Sequence, residues 1–160
     1  MREGEEVELR PQLFDSKDEA LTHVAIDKIS IFPGSNEANY TIISAIDLNE
    51  YETAEMKVET YLGAGSGIYM STEAIYMTAP VYLPLAASTR SAMDLSMLVM
   101  DNNTELYKFV VDGTNIEMTA RTTIEGSVLN QFSMDEYEGY LRVATTTGNA
   151  WGSEGASNNN

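Results

Sequence analysis

From residue 40 onward, apolar side chains recur at every second position in short runs, the period of a strand whose successive side chains point to opposite faces. Residues 40–48 are apolar on both faces, Ile42 and Ile46 on one, Ile43 and Ala45 on the other. Such a strand needs cover on both sides. Residues 55–62 alternate more cleanly, Met56, Val58, Thr60 and Leu62 against Glu55, Lys57, Glu59 and Tyr61, which predicts an outer strand wetted on its charged face. After a glycine-rich break at 63–67, residues 68–71 and 74–81 supply two further strands.

A second series runs through 105–111, 116–124, 128–134 and 140–146, with breaks at Asp112-Gly113, Gly126 and Glu138-Gly139. Asp-Gly marks a tight hairpin because both residues tolerate positive φ. Consecutive short strands make a meander, the unit of a propeller blade, and no long helical periods alternate with them as a parallel α/β sheet would require. Glu55-Met56 and Ser71 recur 62 residues later as Glu117-Met118 and Ser133, which suggests a repeat. The predicted fold class is all-β: antiparallel four-stranded meander blades of a β-propeller, incomplete at about two blades, with one or two short helices.

One candidate helix begins at Ser16, where Ser16-Lys17-Asp18-Glu19 has capping-box spacing ahead of Ala20, Leu21 and Val24. The competing reading is a turn into a strand through Val24, Ile26, Ile29 and Ile31, ended by Pro33-Gly34. The other candidate lies near Ser91, where Met93, Met97 and Met100 share one helical stripe suited to packing. The domain plan is then an N-terminal segment at 1–28, blades at 29–82 and 104–147 joined by an insert at 83–103, and a tail at 148–160 whose single Trp151 leaves little to bury.

Charge narrows the partners. Twenty-five acidic residues against nine basic ones give a formal charge of −16, which repels nucleic acid and anionic lipid. The absence of Cys removes disulfides, thiolate catalysis and cysteine-ligated metals. No apolar run approaches the roughly 20 residues of a membrane-spanning helix, and the acidic opening, Met1 to Glu6, lacks the pattern of a secretory signal.

The run LNQFSMDEYEGYLRVATT at 129–146 resembles the signature stretch of a family of bacterial and archaeal proteins whose carboxy-terminal β-propeller is distantly related to WD-repeat proteins. Residues 40–48, Tyr69-Met70-Ser71, 74–78 and 105–109 also fit that family's blade pattern, so the resemblance covers about residues 29–147. It implies a propeller and, for most relatives, a secreted or cell-surface location. It implies no reaction and carries no catalytic residues over. Relatives have several more blades, and a ring typically needs four to eight. A fragment of a longer protein, or copies associating through exposed blade faces, would answer that shortfall.

Little in the chain carries chemistry. His23 is the single histidine, remote from any nucleophile turn, and no G-x-S-x-G occurs. The glycine-rich break at 63–67 lacks the Lys-Ser/Thr of a phosphate loop. Asp101, Asp135 and Glu136 are candidate oxygen ligands for Ca²⁺, without EF-hand spacing, and solvated turns are the plainer reading. Ile46, Phe132, Met134 and Tyr140 are read as structural residues. Arg142, alternating with Leu141 and Val143, is read as a buried cation tied to Asp135 or Glu136. Asn39-Tyr40-Thr41 and Asn102-Asn103-Thr104 match the glycosylation sequon. The functional expectation is a non-catalytic propeller scaffold for a protein or glycan partner at the cell surface or exterior, without a cofactor, in contact with adjacent blades or with its own copies. The alternatives are a hydrolase whose site lies in missing blades and a cation-binding structural module.

Overall fold

The computed structural model describes residues 8–16, 19–35, 37–50, 56–63, 65, 67–81, 103–147 and, for the backbone, 158–159. The Met stripe at 93–100, Asp101, Asn102 and Trp151 lie outside the described residues.

Among the described residues the regular structure is strand, apart from two 3₁₀ turns at Ile26–Lys28 and Gln131–Ser133. β1 (Gln12–Asp15) and β2 (Ala20–His23) form a hairpin in register Gln12↔His23. Where a helix from Ser16 was one of the two expected readings, Ser16 and Glu19 lie in turns, Glu19 at φ 51°, and a strand follows at Ala20; Lys17 and Asp18 lie outside the described residues. The capping-box spacing lost to cross-strand pairing, as local propensity often does to tertiary context. β3 (Ile29–Ile31) then runs parallel to β5 (Lys57–Leu62), which pairs antiparallel with β4 (Tyr40–Ala45) on its other side. Pro33 and Gly34 make the turn between β3 and β4. Ser35 N–H donates to the Phe32 carbonyl at 3.1 Å, and Gly34 sits at φ 80°, as position i+2 of a type II turn demands.

The central element is a four-stranded antiparallel meander of β6 (Gly67–Met70), β7 (Ala74–Pro80), β8 (Thr104–Asp112) and β9 (Asn115–Ile124). β7 pairs with β8 from Ala74↔Val110 to Pro80↔Thr104. The expected division at 83–103 put those two strands in different blades, but the hydrogen bonding joins them in one, so residues 82–103 connect neighbours within a blade. The reason lies in burial: residues 74–79 are all buried, a strand covered on both faces that needs partners on both edges.

The central blade is packed on both sides. On one face Ile75, Met77, Ala79, Tyr107 and Phe109 meet Phe32, Tyr61 and Ile43 of the β3–β5–β4 sheet. Four rings interlock there: Phe32 stacks on Tyr61 at 5.0 Å, and Phe109 lies edge-on to Tyr61 at 5.4 Å. On the other face Ala74, Tyr76 and Leu106 meet Met134, Leu141 and Val143. These last come from the hairpin of β11 (Met134–Tyr137) and β12 (Tyr140–Val143), preceded by β10 (Ser127–Val128). β10 pairs with β13 (Thr145–Thr147), and β13 with β14 (Asn158–Asn159). The architecture is thus one whole blade flanked by two partial ones, called half blades below: the three-stranded β3–β5–β4 on one face and the two-stranded β11–β12 on the other.

Several side chains sit elsewhere than alternation implied. β5 is the middle strand of its sheet, with Thr60 and Tyr61 buried, so Tyr61 belongs to the core and not to a wetted face. Ile46 is 46% exposed, beyond the end of β4, and Phe132 is 85% exposed in its 3₁₀ turn. Tyr140 is exposed as well, and of the four apolar residues expected to be structural only Met134 is buried. The 62-residue recurrence is not a structural equivalence, because Met56 precedes β5 while Met118 lies within β9, and Ser71 turns a hairpin while Ser133 ends a 3₁₀ turn.

Candidate functional site

The half blade β11–β12 is two strands wide and lies over β6 and β7, where Glu136 N–H donates to the Tyr69 hydroxyl at 3.0 Å. Two strands cannot cover four. Much of the β8–β9 half of this face is left open, and a groove of about 230 Å³ lies there, lined by Tyr76, Leu106, Lys108, the Ala120–Thr122 stretch with Arg121, and the turn at Gly139–Leu141. Register explains the composition: Tyr76 opposes Lys108 and Lys108 opposes Ala120, while Leu106 opposes Thr122 one rung on. Cross-strand partners share a face.

Lys108 is half-buried and stands over the Tyr76 ring, its Nζ 5.5 Å from the centroid. Among the described residues the ion pairs are Arg10 with Glu8, Arg121 with Glu105, and Arg142 with Asp135, so Lys108 has no carboxylate partner there. A cation in a mostly apolar groove, on a chain of net charge −16, gives the site a local sign opposite to the molecule's. The groove wall is shaped by the turn Glu138-Gly139, whose residues both take positive φ, 51° and 81°, as a type I′ hairpin requires.

The other face of the same strands holds an ion pair that is buried at its Glu105 end and open to solvent at Arg121. Arg121 Nε donates to Glu105 Oε2 at 2.7 Å, and Thr123 Oγ1 donates to Oε1 at 2.7 Å. Burial pushes the Glu105 carboxyl up, but the Arg121 and Thr123 hydrogen bonds and the Arg121 charge together outweigh it and hold it below the usual glutamate range. Beside them the Tyr107 hydroxyl donates to the Pro33 carbonyl at 2.9 Å, tying the central blade to the preceding half blade. Burial, with Glu105 near by, raises the Tyr107 phenol. This cluster braces two sheets together, a structural arrangement. Strict alternation misses it: a β-bulge at Thr119 shifts register from Lys108↔Ala120 to Phe109↔Met118, which brings Arg121 and Met118 to one face despite their odd spacing.

The residues singled out in the sequence are scattered. Arg142 does pair with Asp135, Nε to Oδ1 at 2.8 Å, and the guanidinium holds the Asp135 carboxyl below its ordinary value. Both side chains are more than half exposed, so the pair lies on the outer side of β11–β12 and not in the core. The reason is parity, since Leu141 and Val143 take the inward positions. Glu136 is on that inward side, with a buried Oε2 that has no hydrogen-bond partner among the described residues. Asp135 and Glu136 therefore point to opposite faces, and no cluster of three metal-ligating side chains occurs among the described residues. His23 is exposed and shares a 2.8 Å contact with Gln12. No helix among the described residues is long and apolar enough to cross a membrane.

Stacked, mainly antiparallel sheets with a four-stranded meander at their centre and a narrower sheet on either face are the arrangement of propeller blades. Neither the curated proteins nor the solved structures include a match to this chain. The description "Beta propeller domain" matches residues 2–160, and the chain belongs to that family.

Proposed function

We propose that the chain is a non-catalytic propeller scaffold that binds a protein or glycan partner at the cell surface or exterior, and that the groove beside β12 is where the partner is held. The groove carries this reading. Its apolar floor of Leu106, Ala120 and Leu141, its aromatic rims Tyr76 and Tyr140 and the Lys108 ammonium over the Tyr76 ring combine burial with an orienting positive charge. At about 230 Å³ it is smaller than a drug-sized pocket and suits one side chain or one sugar at a time. The location rests on the resemblance of residues 129–146 to secreted and surface-attached relatives.

A polypeptide partner is favoured over a glycan, because β12 offers a free edge next to the groove: among the described residues it pairs with β11 alone. An extended segment added there gains backbone hydrogen bonds and sets alternate side chains into the groove. The test is an NMR titration of the full chain with two probes, an alternating valine–glutamate peptide and chitotriose. Saturable shifts at Lys108, Ala120, Thr122 and Leu141 with the peptide, lost in Lys108→Glu, are expected. If neither probe moves these resonances, the groove is not a binding site.

A further inference from the structure

The two sequons noted in the sequence occupy the same place in successive blades. Thr41 Oγ1, near the start of β4, donates to the Gly63 carbonyl at 2.8 Å, and Thr104 Oγ1, at the start of β8, donates to the Gly126 carbonyl at 2.8 Å. Each clip closes 22 residues and ties the start of a strand to a glycine just past its hairpin partner. Both glycines take positive φ, 111° and 87°. The fold therefore accounts for both threonines.

The asparagines differ. In the second sequon Asn103 Oδ1 accepts from Gly126 N–H at 3.4 Å, so that side chain serves the turn, and Asn102 lies outside the described residues. In the first the backbone does this instead: the Asn39 carbonyl accepts from Gly63 N–H at 2.7 Å. The Asn39 side chain is left exposed, with no hydrogen bond to any described residue. It stands in the bend before β4, beside exposed Ala38, at the end of the sheet and not on a face against which another blade packs. Propeller blades stack through their faces and leave their ends, where the loops emerge, to solvent. Further strands before or after this sequence would leave Asn39 open.

We infer that Asn39 is the acceptor for an N-linked glycan, transferred by an oligosaccharyltransferase from a polyprenyl-phosphate-linked oligosaccharide; this rests on the reading of the chain as exterior. In the transfer the carboxamide nitrogen bonds to the anomeric carbon of the first sugar. The bond from that carbon to the donor's phosphate oxygen breaks, its electron pair leaves with the phosphate, and a base of the transferase takes the proton from nitrogen. The structure also sets the timing. The sequon needs its hydroxyl as well as its amide. In the folded chain the Thr41 hydroxyl is committed to Gly63, and Tyr40 and Thr41 are paired with Leu62 and Tyr61 of β5. The site is open to the transferase only before the β4–β5 hairpin closes, while the chain is being exported. Once attached, the sugar projects from the sheet end and displaces no packed side chain.

The test uses the full chain carrying a cleavable secretory leader, expressed in a host whose secretory pathway transfers a dolichyl-pyrophosphate oligosaccharide, with peptide mass as the readout. Trypsin separates the two sequons, the first in peptide 29–57 and the second in peptide 91–108. Peptide 29–57 is expected to carry a glycan mass that is lost in Asn39→Gln, with the thermal melt unchanged, and kept in Thr41→Ser, which preserves the hydroxyl. The folded chain, made without the leader and mixed with the same transferase and donor, is expected to stay bare. A bare peptide 29–57 from the exported chain, or equal modification of the folded chain, overturns the inference. The leader forces export, so a bare Asn39 counts against the acceptor site alone. The exterior location is tested separately, by whether an antibody to the chain labels intact cells of its source; absence of label removes that reading and, with it, the natural occasion for the transfer.

Discussion

Replacing Arg121 by Met reverses the sign of the contribution that Glu105 makes to stability as pH falls. Glu105 sits with its side chain 10% exposed, held by Arg121 and Thr123, while the Arg121 side chain is 40% exposed. Removing one partner of a buried pair costs about 3–5 kcal/mol because the remaining charge is left uncompensated. The half-open position of Arg121 lets water reach part of the gap, which puts Arg121→Met at about 2–3 kcal/mol at neutral pH. The pH dependence is the sharper readout. In the native chain the Glu105 carboxyl is depressed, so its stabilisation is complete above the ordinary glutamate value and is lost as pH falls through the lower folded value. Without Arg121 the order of influences changes: burial, the largest, outweighs the remaining Thr123 hydrogen bond, and the carboxyl moves above its unfolded value. The variant is then least stable at neutral pH and regains stability as pH falls through the raised value, where the native chain is not yet losing any. Urea unfolding followed by circular dichroism at pH 7 and at about pH 5 measures both slopes. The penalty is expected to shrink on acidification and to disappear in the double variant Glu105→Gln, Arg121→Met. An equal penalty at both pH values refutes the buried-pair account.

Other outcomes follow from packing and backbone geometry. Phe109→Ala, at a ring with no exposure between Phe32 and Tyr61, should lose about 3–5 kcal/mol by urea unfolding. Gly126→Ala should abolish the β10–β13 pairing, because φ is +87° and a Cβ would come within 2.8 Å of the Thr146 carbonyl oxygen; faster amide exchange at Val128 reports it. Glu138→Asn should raise the melting temperature, since Asn tolerates the positive φ that costs Glu about 1 kcal/mol. Phe132→Ala should change the stability of the monomeric chain by less than about 0.5 kcal/mol, as its ring is exposed.

What could be read in advance was the period. Alternating runs from Ile42 to Val143 determine strands, and the Pro33-Gly34 and Glu138-Gly139 pairs determine where the chain reverses, because those dihedrals are local properties of the residues themselves. Asp112-Gly113 was read one residue early: Asp112 still pairs with Asn115, and Gly113 and Thr114 form the turn, with φ 60° at Gly113 alone. That Arg142 meets an acid of its own hairpin was legible for the same reason, while the choice between Asp135 and Glu136 depended on which face each takes. Burial was not. Phe132, Tyr140 and Ile46 have the composition of core residues, yet hydrophobicity says only that a side chain gains from cover, and which sheet supplies cover is decided by long-range stacking.

The composition and alternation of this chain, by themselves, determined an all-β protein of short antiparallel strands with a strongly acidic surface. Tertiary structure alone decided that strands on either side of residues 82–103 share a blade, that the Thr119 bulge turns Arg121 toward Glu105, and that Lys108 faces an open groove. The physical reason is that strand formation depends on neighbours one or two residues away, whereas pairing, register and facing depend on contacts between residues far apart in sequence, where a one-residue slip moves every side chain to the opposite face.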